Sequence, residues 1–177
     1  TSLPPTSTPT PIPMLTPTRT LLPSVETIRN VPYVPDGVPE QVLDLYLPPE
    51  AAEPAATVLL FHGGGANKGD MASLAVSLAR QGYAAAALEY RDYPRFTYTA
   101  GIEDAFCGLA WLYTNAGAYQ LDPQRFFSLG HSLGGGLSAM LGVLDDPTPF
   151  LTGCPYDLPA AGWIRGAITY TGIFDYS

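Results

Sequence analysis

Residues 125–136, RFFSLGHSLGGG, decide how this chain folds. Arg125–Leu129 is a short apolar-rich run that reads as a strand, and Ser132–Leu144 is nearly all apolar and long enough for a helix. Between them lies Gly130-His131-Ser132-Leu133-Gly134, a GxSxG sequence. A strand that turns sharply into a helix needs residues without Cβ on both sides of the turn, and the hydroxyl between them is lifted out at the helix N-terminus. In a plain Gly-rich loop the same letters would mean little. Here the setting makes Ser132 a candidate nucleophile, with Gly130 and Gly134 in support.

Upstream, Ala56–Phe61 (ATVLLF) is a continuous apolar run, as expected of a strand buried on both faces of a parallel sheet. It runs straight into His62-Gly63-Gly64-Gly65. Glycines in a strand-to-helix loop let backbone N–H groups point into a cleft, which stabilisation of a tetrahedral acyl intermediate requires. A phosphate cradle would end in Gly-Lys-Ser/Thr, and Lys68-Gly69-Asp70 does not supply that.

The remaining elements fit the same plan. Val25–Val34 and Gln41–Leu47 read as antiparallel-type strands, Tyr83–Leu88 as another buried strand and Gly166–Tyr170 as the last. Met71–Gln81 predicts a helix with Asp70 as N-cap, Gly82 just past its end, and Met71, Leu74, Ala75 and Leu78 on its apolar face. Ala100–Asn115 predicts a longer one, its face built from Ile102, Ala105, Phe106, Leu109, Leu112 and Tyr113. Two strands, three strand–helix units and a final strand make a doubly wound, mostly parallel α/β sheet with helices on both faces. Residues 1–24 contain seven Pro and seven Thr and no periodic apolar face. They predict a disordered spacer of the kind that holds a domain away from an anchor.

The 177 residues are 46% hydrophobic and 14% charged, enough apolar material for one packed domain. Eight basic against sixteen acidic residues give a net charge of −8, which repels phosphate backbones, so nucleic acid is not an expected partner. No apolar run approaches the roughly 18–20 residues that span a bilayer. His62 and His131 lack partners at metal-ligand spacing, so no metal is expected. Cys107 and Cys154 fit neither a redox motif nor a disulfide scaffold and allow at most one bridge.

With these segments in order, the chain resembles the α/β-hydrolase superfamily, specifically its carboxylesterase branch related to hormone-sensitive lipase and the feruloyl-esterase-like (BD-FAE-type) domains. The resemblance covers nearly everything after Val25. Besides HGGG and GHSLGG it rests on Tyr90-Arg91…Pro94, Glu103-Asp104, Trp111-Leu112 and Gly172-Ile173-Phe174-Asp175, with about 70 residues between HGGG and the serine. It implies Ser132 as nucleophile, the N–H groups of Gly64, Gly65 and Leu133 as oxyanion donors, and His62, with Gly63, as structural support for that loop. Leu133 departs from the Ala more usual in this branch, and its larger side chain crowds the acyl pocket.

In this fold the acid and then the histidine of the triad follow the serine, yet the 45 residues after Ser132 contain no histidine. His131 should leave the turn in a different direction from Ser132, and His62 would have to abandon its loop to act as base. Asp145-Asp146-Pro147 reads as a helix terminus and turn. The expectation is therefore the N-terminal part of a hydrolase domain, residues 25–177, truncated before the last strands and inactive by itself. The implied function of the full-length protein is serine carboxylic-ester hydrolysis of a small-molecule ester, without a cofactor. Two other readings stay open: an amidase-type relative (arylformamidase or a prolyl-oligopeptidase-like peptidase) and a catalytically inactive binding module. The sequence leaves the oligomeric state open. The spacer suggests a secreted or surface-tethered protein, and in that setting a Cys107–Cys154 bridge is expected rather than two buried thiols. Tyr90, Tyr93, Phe96 and Tyr98 read as a loop packing on a helix rather than an aromatic substrate groove, and Arg91 as one half of a structural ion pair.

Overall fold

The computed structural model describes residues 24–49 and 52–174. Apart from Ser24, the expected spacer lies outside the described residues, as does Asp175. The elements run β1 (Glu26–Pro32), β2 (Val42–Leu47), β3 (Ala55–Phe61), α1 (Ala72–Arg80), β4 (Ala84–Leu88), α2 (Tyr98–Asn115), β5 (Leu121–His131), α3 (Leu133–Val143) and β6 (Gly166–Tyr170). They form one sheet in the order β1-β2-β4-β3-β5-β6. β1, β2 and β4 pair antiparallel, while β4, β3, β5 and β6 are parallel. This is the doubly wound, mostly parallel sheet expected.

Period-two alternation sorts the strand side chains onto two faces. Leu43, Leu45, Leu59, Phe61, Ala84, Ala86, Leu88 and Phe126 pack under α2 and α3. Tyr46, Val58, Leu60, Ala85 and Ala87 pack under α1. The run of alanines in β4 lets both layers approach closely. A Cβ on Gly108 of α2 would lie 2.3 Å from Leu88 Cδ2, so a larger residue there would have to displace the buried Leu88 side chain.

Two details of α1 differ from expectation. Asp70 is not its N-cap, because the chain enters through a 3₁₀ turn, Lys68–Met71, capped by Asn67. Asp70 is the reciprocal partner in that capping box, its carboxylate accepting the Asn67 N–H. The apolar face is also rotated: Met71, Ala75 and Ala79 are buried, whereas Leu74 is exposed. Alanines at i and i+4 seat the helix tightly on β4, which leaves the bulkier Leu74 outside. The C-terminus is as expected, with Gly82 at φ +90° and the N–H groups of Gly82 and Tyr83 returning to the carbonyls of Ala79 and Leu78.

Cys107, buried on α2, is bonded to Cys154 with Cα atoms 5.5 Å apart, closing a sequence separation of 47 residues. The bridge pins the segment after α3 to α2, where Phe150 stacks on Phe106 and the Trp163 indole donates to the Leu141 carbonyl. Along the other face β6 is less covered, and Ile168 and Tyr170 are 56% and 66% exposed.

Candidate active site

β5 ends at His131 and α3 begins at Leu133, so the reversal falls on Ser132, at φ 53° and ψ −119°. A non-glycine residue in this left-handed region is strained and persists only where its surroundings hold it. The restraints are backbone bonds. Ser132 N–H donates to the Tyr170 carbonyl at 2.9 Å, and its carbonyl accepts from Gly135 N–H at 2.9 Å and Ile173 N–H at 3.3 Å. A Cβ on Gly130 would lie 1.9 Å from the Gly134 carbonyl oxygen, and one on Gly134 would lie 2.2 Å from that of His62. Both glycines are therefore steric necessities, and the serine turn and the HGGG loop are in direct backbone contact.

That contact brings the two sequence motifs together. The Cβ position of Gly63 is 3.5 Å from Ser132 Cβ, and that of Gly64 is 3.4 Å from Leu133 Cδ2. The N–H groups of Gly64 and Leu133 make no hydrogen bond to another described residue. Gly65 differs: at φ +72° its N–H donates to the Asp92 carboxylate, Oδ2, at 2.7 Å.

His62 is buried and held on three sides. Its Nδ1 lies 2.8 Å from the Gly63 carbonyl, its ring stacks on Tyr90 with centroids 4.3 Å apart, and the Tyr90 hydroxyl donates to its carbonyl oxygen at 2.7 Å. Glu89 Oε1 stands 3.3 Å from Nε2, within ion-pair range although out of line for a hydrogen bond. Burial alone would raise the Glu89 carboxyl, but the neighbouring His62, the Lys68 N–H and the Lys68 charge together hold it below its ordinary value. Lys68 in turn pairs with buried Asp44 at 2.9 Å.

Arg91 is likewise structural, its guanidinium bonded to Asp104 at 2.9–3.1 Å and to Glu103 at 2.9 Å. Asp104 also accepts the Arg91 N–H and the Gln41 amide. These bonds hold the loop between β4 and α2. The loop carries what sequence reading undervalued: Tyr93, Pro94, Thr97 and Tyr98 line a cavity of about 880 Å³ with Gly64, Gly65, Ser132, Leu133 and Ile173. Tyr93 and Tyr98 are thus cavity walls, whereas Tyr90 is the buried partner of His62 and Phe96 lies under Arg95. Leu133 lines the same cavity.

His131 is exposed, with its ring 5.6 Å from that of Tyr170 and Nδ1 3.1 Å from the Gly63 Cβ position. Neither histidine bonds the Ser132 hydroxyl. Asp145 and Asp146 are exposed after α3, with Asp146 accepting the Thr148 N–H in a turn, as read from the sequence. No group of three or more His, Cys, Asp or Glu among the described residues is placed to hold a metal ion, and none of their helices is long and apolar enough to cross a membrane.

The chain is similar to carboxylesterase NlhH of Mycobacterium tuberculosis, 32% identical over 121 residues, covering 66% of this chain and 37% of that protein. Isoprenylcysteine alpha-carbonyl methylesterase ICME of Arabidopsis thaliana is 32% identical over 119 residues, 65% of this chain and 27% of its own length. Among solved structures, a truncated carbohydrate esterase from gut microbiota superposes with a TM-score of 0.63 at 27% identity, covering 71% of this chain and 46% of that one. Esterase B from Lactobacillus rhamnosis shares the fold at a TM-score of 0.65 and 24% identity, over 82% of this chain and 46% of its own. The chain thus spans less than half the length of each. The BD-FAE family model matches residues 43–162. Fold, serine turn, HGGG loop and this match together place the chain in the BD-FAE family of α/β-hydrolases.

Proposed function

We propose that this chain carries the nucleophile and oxyanion hole of a serine carboxylic-ester hydrolase. One observation carries the reading: Ser132 is held on a strained turn at the wall of a cavity, beside two backbone N–H groups, those of Gly64 and Leu133, that have no hydrogen-bond partner among the described residues. The Ser132 oxygen attacks the ester carbonyl carbon while a base takes its proton. The carbonyl oxygen becomes an oxyanion bonded by the N–H groups of Gly64 and Leu133, while the Gly65 N–H stays on Asp92. Collapse expels the alcohol, which takes the proton, and water then hydrolyses the acyl-serine. The base is neither His62, which is buried in its own network, nor His131. The chemistry needs no cofactor, and the esterase names of the relatives support a small ester as substrate. We place the protein outside the cytoplasm, secreted or surface-tethered, a reading that the Cys107–Cys154 bridge supports.

The test is turnover of p-nitrophenyl acetate and butyrate by protein expressed from the complete coding sequence. Activity abolished by Ser132→Ala supports the reading. Preference for N-formyl or aminoacyl amides would favour an amidase instead, and no turnover of either would favour a binding module.

A further inference from the structure

Three consecutive glycines leave the direction of the amides in the HGGG loop undetermined by local preference. Within the loop, the Ala66 N–H bonds the Gly63 carbonyl at 3.1 Å. The tie to the rest of the molecule at Gly65 comes from Asp92. Its Oδ2 accepts the Gly65 N–H at 2.7 Å across 27 residues of sequence, while its own carbonyl accepts the Phe96 N–H at 2.9 Å, closing the turn that carries Tyr93 and Pro94. Asp92 therefore joins the oxyanion loop to the opposite wall of the cavity.

The other carboxylate oxygen is less comfortable. Oδ1 is buried without a hydrogen-bond partner among the described residues and lies 3.9 Å from the Cβ position of Gly64. A bare buried carboxylate oxygen is destabilising, and a negative charge near a developing oxyanion opposes it. Such an arrangement persists where the geometry it enforces matters more than its cost.

We propose that Asp92 is a positioning residue of the oxyanion hole. By taking the Gly65 N–H in a charge-assisted bond it fixes the Gly64–Gly65 peptide and leaves the Gly64 N–H for the oxyanion. It acts through that amide and not on the substrate, and the inference rests on the serine-hydrolase reading of Ser132. Losing the anchor mis-sets a donor whose complete removal from such a site costs about 10²–10³ in kcat. Because an oxyanion donor works mainly in the transition state, the loss falls on kcat and not on KM.

The experiment measures kcat and KM for p-nitrophenyl acetate in protein expressed from the complete coding sequence, with melting temperatures alongside. Asp92→Ala is expected to lower kcat by about tenfold or more with KM within about twofold. Asp92→Asn keeps an oxygen for the Gly65 N–H and removes the charge, and is expected to recover kcat to within about threefold of the parent. Parental kcat in Asp92→Ala, an Asn variant as slow as the Ala variant, or an effect confined to KM overturns the proposal. If Asp92→Ala does not fold, Asp92→Asn decides: a folded Asn variant slower than about threefold below the parent sinks it. Inactive Ser132→Ala with a fully active Asp92→Ala removes this inference alone, whereas active Ser132→Ala removes the serine reading and this inference together.

Discussion

The Tyr90 hydroxyl donates to the His62 carbonyl oxygen at 2.7 Å while the two rings stack 4.3 Å apart, so one side chain grips both the backbone and the imidazole at the root of the HGGG loop. Tyr90→Phe keeps the stack and strips a buried carbonyl of its donor. The expected cost is about 1–3 kcal/mol, read by calorimetry as a drop of several degrees in Tm. An unchanged Tm would mean that water replaces the hydroxyl.

Glu89 links pH to stability. Its carboxyl is held below its ordinary value: burial opposes this, and His62 and the Lys68 N–H outweigh burial. The folded state therefore binds that proton less readily than the unfolded chain. The stabilisation is present above the ordinary carboxylate range, near pH 4, and is lost as pH falls through the lower folded value. Glu89→Gln should be less stable than the parent at pH 7, and the two should converge in acid. Denaturant midpoints from pH 3 to 7 test this, and a gap that stays constant with pH would contradict it.

Gly134 and Gly65 should respond differently to alanine. At Gly134 the new methyl meets the backbone oxygens of His62 and Phe61 at 2.2 and 2.5 Å, and neither can yield without moving β3. A loss of about 3 kcal/mol or more is expected, or failure to fold. Gly65 has open space, and only its φ of +72° resists, so about 1–2 kcal/mol is expected. Equal penalties in chemical denaturation would be inconsistent with the backbone contact described.

Replacing both bridge cysteines by alanine should cost about 4 kcal/mol in the chain-entropy view of a 47-residue separation, with a Tm drop on the order of 10 °C. Intact mass before and after reduction verifies the bond, and parental stability in the double variant would refute its structural weight.

The 177 residues produced alone should hydrolyse p-nitrophenyl acetate no faster than their own Ser132→Ala variant. The reason is that His62 is committed to its network and His131 does not bond the serine. Serine-dependent turnover by this chain would make one of these histidines the base.

Much of the fold could be read from patterns with a local cause. The continuous apolar runs at 56–61 and 83–88 became central strands, and GxSxG meets HGGG where Gly134 lies against the His62 and Phe61 carbonyls, an approach that leaves no room for a Cβ. What escaped reading depends on partners distant in sequence. Leu74 looked like core by its spacing, but the seat of α1 is decided by the alanines of β4. Tyr93 and Tyr98 carry no periodic signal, and their place in the cavity wall follows from the Arg91–Asp104 bonds that hold their loop. In sequence Asp92 reads as one of three candidate ion-pair partners of Arg91, with Glu89 and Asp104. Its bond to Gly65 becomes visible only once β3 and β4 lie side by side.

Ser132 N–H bonds the Tyr170 carbonyl, and Tyr170 closes β6, the strand whose side chains are most open to water. The nucleophile's posture thus depends on an edge strand of the sheet, one whose outward side chains are exposed. Fraying at β6 would release the strained serine torsion while the buried β4–β3–β5 centre stayed intact. In the 177-residue chain the amide protons of residues 166–170 should then exchange before those of 57–61.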